Sequence, residues 1–136
     1  MPQWPDILIA DDEKNVRFLT SEIFRLEGIE TVDVSDGCQV IAYLEDVRAK
    51  GGTMPRVVIL DLMMPCLDGY QVYDRVVDAP WMQNTAIVIV SATRNVHLSK
   101  QRSQVFILYK PYEVVDLLDL VRGVAPDLFE ASQSSR

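Results

Sequence analysis

Along the chain, short apolar runs alternate with longer stretches in which apolar residues recur every three or four positions. The runs are Ile7–Ala10, Thr31–Val34, Val57–Leu60, Ile87–Val90 and Val105–Leu108. Four of them are continuous and rich in β-branched residues, the pattern of strands covered on both faces of a parallel sheet. The second, Thr31-Val32-Asp33-Val34, alternates polar and apolar side chains, which predicts an edge strand. Between the runs, Val16, Leu19, Ile23 and Leu26 repeat at helical spacing, and Gly28 follows as a stop. Val40, Leu44 and Val47 predict a second helix, with Ser35-Asp36-Gly37 as its turn and cap. Val72, Val76 and Val77 predict a third, entered through Asp68-Gly69 with Asp68 as N-cap. Val114, Leu117, Leu118 and Val121 predict the last. Strands alternating with helices imply right-handed crossovers and a doubly wound α/β sheet.

Three segments fit this rhythm less well. Ala49–Pro55 predicts an extended loop before the third strand. Thr93–Gln104 is polar and has only Val96 and Leu98 to bury, so a fourth helix there should be short or irregular. After Gly123, the run from Ala125 to Arg136 reads as a surface tail or the start of a linker. The expected division is therefore one domain over 1–124 and a tail over 125–136.

Composition narrows the picture. A chain of 136 residues suits one domain with a real core. A net charge of −7 and a pI near 4.6, with no cluster of Lys and Arg, argue against contact with nucleic acid. The start lacks a basic leader region, and no stretch approaches the roughly 18 apolar residues of a membrane span. Cys38 and Cys66 fall in no metal-ligand spacing and suggest no disulfide framework, so a reducing cytoplasm is expected.

Ligands of an open parallel α/β sheet collect beyond the carboxyl ends of its strands. There the first strand carries Asp11-Asp12-Glu13, the third Asp61, the fourth Ser91-Ala92 and the fifth Lys110-Pro111. Taken singly, such an Asp is usually a turn former or helix cap, and such a Lys is solvated surface. Together they have a chemical logic. Crowded carboxylates repel unless a cation intervenes, and Mg²⁺ is satisfied by a few carboxylates plus water and phosphate oxygens. Phosphoryl transfer needs a nucleophile, which Asp61 can supply, and positive charge around the phosphoryl oxygens, from Lys110 and the metal. Ser91 can donate a hydrogen bond to the same group. His97 reads as an ordinary surface residue, and Cys66 carries no sign of a redox role. Trp4 and Trp81 read as packing residues, and Phe18, Phe24, Tyr43 and Tyr73 as core or boundary residues on helices.

The spans Ile7–Glu13, Val57–Gly69, Ile89–Ala92 and Lys110–Tyr112 resemble the receiver domains of two-component response regulators, from about Ile7 to Val121. The block Asp61-Leu62-Met63-Met64-Pro65-Cys66-Leu67-Asp68-Gly69 is the most diagnostic part. The resemblance implies a flavodoxin-like, five-stranded parallel sheet of order 2-1-3-4-5 with helices on both faces. It implies Asp61 as phosphoacceptor, charged from a phosphohistidine on a sensor histidine kinase or histidine phosphotransfer protein. It implies a Mg²⁺ site (Mn²⁺ a plausible substitute) of Asp11, Asp12, Asp61 and the Met63 backbone carbonyl. Ser91 corresponds to the switch hydroxyl and Lys110 to the phosphate-contacting lysine, with a Lys110–Pro111 bond that is often cis. Met63 and Thr93 sit where access of the hydrolytic water is modulated. The chain departs from the pattern in a shortened Ser91-to-Lys110 segment and in Ile107, where an aromatic residue is usual. The output partner, or a C-terminal effector domain, is left unnamed.

Two other classes compete with a phosphorylatable switch that does no chemistry beyond its own phosphorylation and dephosphorylation. A phosphorylation-independent interaction module on the same scaffold would draw on Ile107 and the shortened segment, yet every acid and the lysine are kept. An aspartate-nucleophile phosphatase would carry a second Asp where Met63 stands, and a mononucleotide-binding protein would not follow its first strand with Asp11-Asp12-Glu13.

Overall fold

In a computed structural model of the protein, which describes residues 4–134, the five apolar runs form one parallel sheet. The strands are β1 (Ile7–Ala10), β2 (Thr31–Val34), β3 (Val57–Asp61), β4 (Ala86–Ser91) and β5 (Val105–Tyr109), in the order β2-β1-β3-β4-β5. All pairings are parallel, with Ile7 opposite both Thr31 and Val57, and Asp61 opposite Val90. This is the flavodoxin-like order expected from the sequence, with the alternating strand at an edge.

Strand periodicity divides the interior in two. Leu8, Ala10, Val58, Leu60, Ile87 and Ile89 face helices α2 (Gly37–Ala49) and α3 (Gly69–Val76) and pack with Val40, Leu44, Val72 and Tyr73. Ile7, Ile9, Val57, Ile59, Val88 and Val90 face the other way, toward α1 (Lys14–Leu26) and α4 (Val114–Val124), and pack with Phe24, Leu117 and Val121. Each fully buried Leu, Ile or Phe of these layers stabilises the fold by about 1.5–3 kcal/mol relative to exposure.

The helix entries follow the predicted chemistry. Asp36 caps α2 by accepting from the Gln39 N–H at 2.8 Å. Asp68 caps α3 in a reciprocal box with Gln71, both bonds at 2.9 Å. Helix α1 differs from expectation in its face. Leu19 and Leu26 are 61% and 73% exposed, while Thr20 and Phe24 are buried. The inward stripe runs Val16–Thr20–Phe24, and its middle member is polar, so an apolar count points one position off. Phe18, expected in core or boundary packing, lies on the outer side with Leu19.

No helix lies between β4 and β5. The connection is irregular and is fastened from the side. The Tyr73 hydroxyl donates to the Lys100 carbonyl at 2.7 Å, and Arg102 donates to the carbonyls of Met82 and Thr85 at 2.7 and 2.8 Å. Lys100 also pairs with Asp78, and Ser99 with Asp74. Val96 and Leu98 supply the apolar contact and pack against the α2/α3 layer.

The segment after Gly123, expected as a surface tail, contains a short helix α5 (Asp127–Ser134). Ala125 just before it and Phe129 within it are buried against the α1/α4 layer, Arg122 lies over the Phe129 ring at 4.7 Å, and Arg56 pairs with Asp127. The polar composition of the segment hid two apolar anchors. Among the described residues no helix is long and apolar enough to cross a membrane.

Candidate functional site

The site stands on the carboxyl ends of β1, β3, β4 and β5, and side-chain parity decides which groups meet. Asp11 shares parity with Ile7 and Ile9, Asp61 with Val57 and Ile59, and Lys110 with Phe106 and Leu108. All three therefore rise on the α1/α4 side of the sheet. Lys110 Nζ donates to Asp61 Oδ2 at 3.0 Å and lies 3.6 Å from Asp11 Oδ2. Asp61 Oδ1 accepts from the Met63 N–H at 3.0 Å, and Asp11 Oδ1 from the Glu13 N–H at 2.9 Å. The Lys110–Pro111 peptide bond is cis.

Ser91 has the opposite parity, with Ile87 and Ile89. Its hydroxyl is buried and engaged locally, donating to the Thr93 carbonyl at 2.7 Å and accepting from the Thr93 N–H at 3.0 Å. Ser91, Ala92 and Thr93 line a small cavity with Leu62, Met63 and Tyr70. The structure thus brings Asp11, Asp61 and Lys110 into direct contact and holds Ser91 at the neighbouring strand end, turned to its own loop.

Carboxylate oxygens of Asp11, Asp12 and Asp61 all lie within 4.8 Å of one another. Asp11 and Asp61 are 5% and 4% exposed, whereas Asp12 is open to solvent. Burial pushes the Asp11 carboxyl up to about 6, the Glu13 N–H works against this, the Asp61 charge adds to it, and Lys110 opposes it. Burial alone would lower Lys110, but its hydrogen bond to Asp61 and the charges of Asp61, Asp11 and Glu13 hold it above the usual lysine value. A buried acid pair balanced by a single ammonium, with a third acid at the rim, is under-neutralised. This is the donor set and charge that a hard divalent cation fits. The Met63 side chain is exposed, and its N–H belongs to the site through Asp61.

Arg17 was not legible as part of the site. From α1 it donates to the Asp11 carbonyl at 2.8 Å and to Asp33 at 3.1 Å, fastening the end of β1 to the edge strand. Its position four residues after Glu13, on the first turn beyond the acidic run, is the only sequence signal. Ile107 packs against the α2/α3 layer, and Tyr109 lies under Arg94 at 4.9 Å. His97 is exposed and bonded to Asn95. Trp4 covers Gly52, where a Cβ would overlap its ring, and Trp81 lies under Arg48 at 5.2 Å, so both are packing residues.

The expectation that Cys38 and Cys66 form no disulfide is corrected. They are bonded to each other, with Cα atoms 5.8 Å apart. Their separation of 28 residues spans α2 and β3, which return the chain to the same place, and linear spacing does not reveal this. The cysteines therefore lend no support to a reducing compartment.

A family model described as the response regulator receiver domain matches residues 7–122. The chain belongs to the response regulator receiver family. Sporulation initiation phosphotransferase F of Bacillus subtilis is 28% identical over 125 residues, covering 88% of this chain and 93% of that protein. Protein PilG of Pseudomonas aeruginosa is 23% identical, covering 88% and 87%. The crystal structure of a CheY-like receiver domain protein from Methanospirillum hungatei superposes with a TM-score of 0.72 at 28% identity, covering 90% of this chain and 95% of that one. As a receiver, the protein is a phosphorylatable two-component switch, and a phosphorylation-independent module is not favoured. The fourth helix, expected to be short or irregular, is not formed between β4 and β5 among the described residues.

Proposed function

We propose that this receiver takes a phosphoryl group onto Asp61 from a phosphohistidine of a sensor histidine kinase or histidine phosphotransfer protein. The observation that carries the reading is the shared contact of Lys110 with Asp61 and Asp11 at 3.0 and 3.6 Å. A carboxylate oxygen of Asp61 forms the new O–P bond as the N–P bond to the donor histidine breaks, leaving an acyl phosphate. Lys110, already above its usual basicity, keeps its proton and neutralises charge on the phosphoryl oxygens. Asp11, Asp12, Asp61 and the Met63 carbonyl hold Mg²⁺, with Mn²⁺ as a substitute. A Mn²⁺-bound structure of the response regulator Rcp1, similar to this chain in fold, is consistent with that exchange. When bound, the cation supplies positive charge to the three acids and to phosphate oxygens.

Ser91 would leave its turn with Thr93 to donate to the phosphoryl group. This releases the first residues of the β4–β5 connection and alters a protein-binding surface. Met63 and Thr93, both exposed beside the site, set how readily water attacks the acyl phosphate. No substrate other than the protein's own aspartate is turned over. The receiver unit ends near residue 124, with α5 packed back onto it through Phe129, and its output is an effector domain or a separate protein partner. Neither nucleic acid nor membrane is contacted directly, and the cytoplasm, where such donors reside, is its place.

The test is incubation with Mg²⁺ and acetyl phosphate, followed by intact mass. One phosphoryl adduct is expected on the wild type and none on Asp61→Asn. An adduct undiminished in Asp61→Asn sinks the assignment.

A further inference from the structure

We propose that Cys38 and Cys66 are a reversible thiol–disulfide site that fastens the β3–α3 loop to α2 and thereby tunes the cation site. The placement is specific. Cys38 is the second residue of α2, and Cys66 lies in the β3–α3 loop, five positions after Asp61. The two backbones already touch there. The Gly37 N–H donates to the Pro65 carbonyl at 3.4 Å, and a Cβ at position 37 would overlap the Leu67 carbonyl oxygen. Only glycine fits beneath the loop.

Cα atoms 5.8 Å apart lie in the middle of the range that a disulfide spans. Cys66 has a φ of 70°, a backbone region that residues with a Cβ rarely adopt and that persists where surroundings hold it. Cys66 is exposed and Cys38 half-buried, so one sulfur is reachable by a small oxidant and the other waits behind it. Exposed disulfides are the labile, reducible ones.

Oxidised glutathione suffices as oxidant. The Cys66 thiolate attacks one of its sulfurs, forming a mixed disulfide and releasing one glutathione. The Cys38 thiolate then attacks the Cys66 sulfur and releases the second. Two protein thiols lose two electrons and two protons, and the oxidised glutathione takes them up as two thiols.

The loop so fastened also carries Met63, whose N–H holds Asp61. Its ends are already fixed, by Leu62 N–H to the Val90 carbonyl and Gly69 N–H to the Leu62 carbonyl. Closing the bond restrains the remaining stretch and preorganises the Met63 carbonyl, so the oxidised form should bind Mg²⁺ more tightly. This consequence rests on the metal site proposed above.

The full chain is equilibrated in glutathione buffers of graded ratio, trapped with N-ethylmaleimide and weighed. Molecules without maleimide adducts should increase as the buffer becomes more oxidising, and Cys38→Ser should instead collect one glutathione on Cys66. Calorimetry with MgCl₂ should give the oxidised form at least about threefold higher affinity, and Cys38→Ser/Cys66→Ser should match the reduced form in either buffer. The oxidised form should also melt about 5–10 °C higher. Two maleimide adducts at every ratio, equal Mg²⁺ affinity in both forms, or stoichiometric Zn²⁺ held by the thiols and Asp36 in place of oxidation each overturn the proposal. A redox-dependent Mg²⁺ affinity in a chain that acetyl phosphate never modifies would sink the phosphoacceptor reading and leave this one standing. Normal phosphorylation with two permanently free thiols would do the reverse.

Discussion

Lys110 and Asp61, 49 positions apart in sequence, meet through one hydrogen bond of 3.0 Å at the mouth of the sheet. The bond sets Lys110 apart from an ordinary surface lysine, because the same ammonium is the one cation within reach of both buried acids among the described residues.

Lys110→Ala should slow phosphorylation by acetyl phosphate about a hundredfold, the cost of removing one preorganised donor from developing charge. Mg²⁺ affinity should be unchanged or higher, since a competing positive charge leaves the acids. Rates from intact mass, set beside calorimetric Mg²⁺ titration, separate the two effects. A parallel fall in both would mean that the lysine holds the site together and does not act on the phosphoryl group.

The Asp11 carboxyl, raised to about 6 mainly by burial, makes cation binding depend on pH. Mg²⁺ needs the ionised form, so its apparent affinity should fall up to about tenfold per unit as pH drops below 6, and binding near pH 6 should release protons. Calorimetry in two buffers of different ionisation enthalpy measures that release.

The same shift gives a sign for the metal-free fold. Between about 4 and 6 the folded state holds this proton more tightly than the unfolded chain, so this group's contribution to stability declines as pH rises through that window and is flat above it. Asp11→Asn removes the buried charge. In chelator at pH 7 it should stabilise the protein by about 1–3 kcal/mol in urea unfolding while abolishing Mg²⁺ binding. A loss of stability would mean that the Lys110 contact outweighs burial.

Ser91→Ala removes both bonds to Thr93 and should cost about 1 kcal/mol. The phosphoryl adduct should still form. Amide shifts over residues 92–104, large on phosphorylation of the wild type, should be strongly reduced. Equal shifts in the two proteins would remove Ser91 from the switch.

Tyr73→Phe deletes the bond to the Lys100 carbonyl and should cost about 0.5–1.5 kcal/mol. Hydrogen exchange should speed up over residues 96–104 while the sheet core remains protected. Uniform acceleration across the sheet would instead mark Tyr73 as a general core residue.

The sheet and the acid–lysine cluster were legible because buried parallel strands have a distinctive composition and the polar residues interrupt them at their ends. The Asp36 and Asp68 caps were legible for a similar reason, since capping is local chemistry. The features without a sequence signal depend on distant partners. The inward face of α1 turns on a polar residue, Thr20. The β4–β5 connection is held by Tyr73 and by Arg102, whose targets are backbone carbonyls that have no sequence signature. Cys38 and Cys66 meet only after α2 and β3 have folded back, and Ala125 and Phe129 are two apolar residues in a polar tail.

The parity that lifts Asp11, Asp61 and Lys110 onto one side of the sheet limits how this gene can change length. Losing or gaining one codon within β1, β3 or β5 would turn a carboxylate or the ammonium toward the opposite layer and dismantle the cluster in one step. Between β4 and β5 the rule does not apply, because Lys110 takes its aim from the pairing of Ser91 with Tyr109 and not from the length of chain before it. A lineage could shed a whole helix there and keep its chemistry.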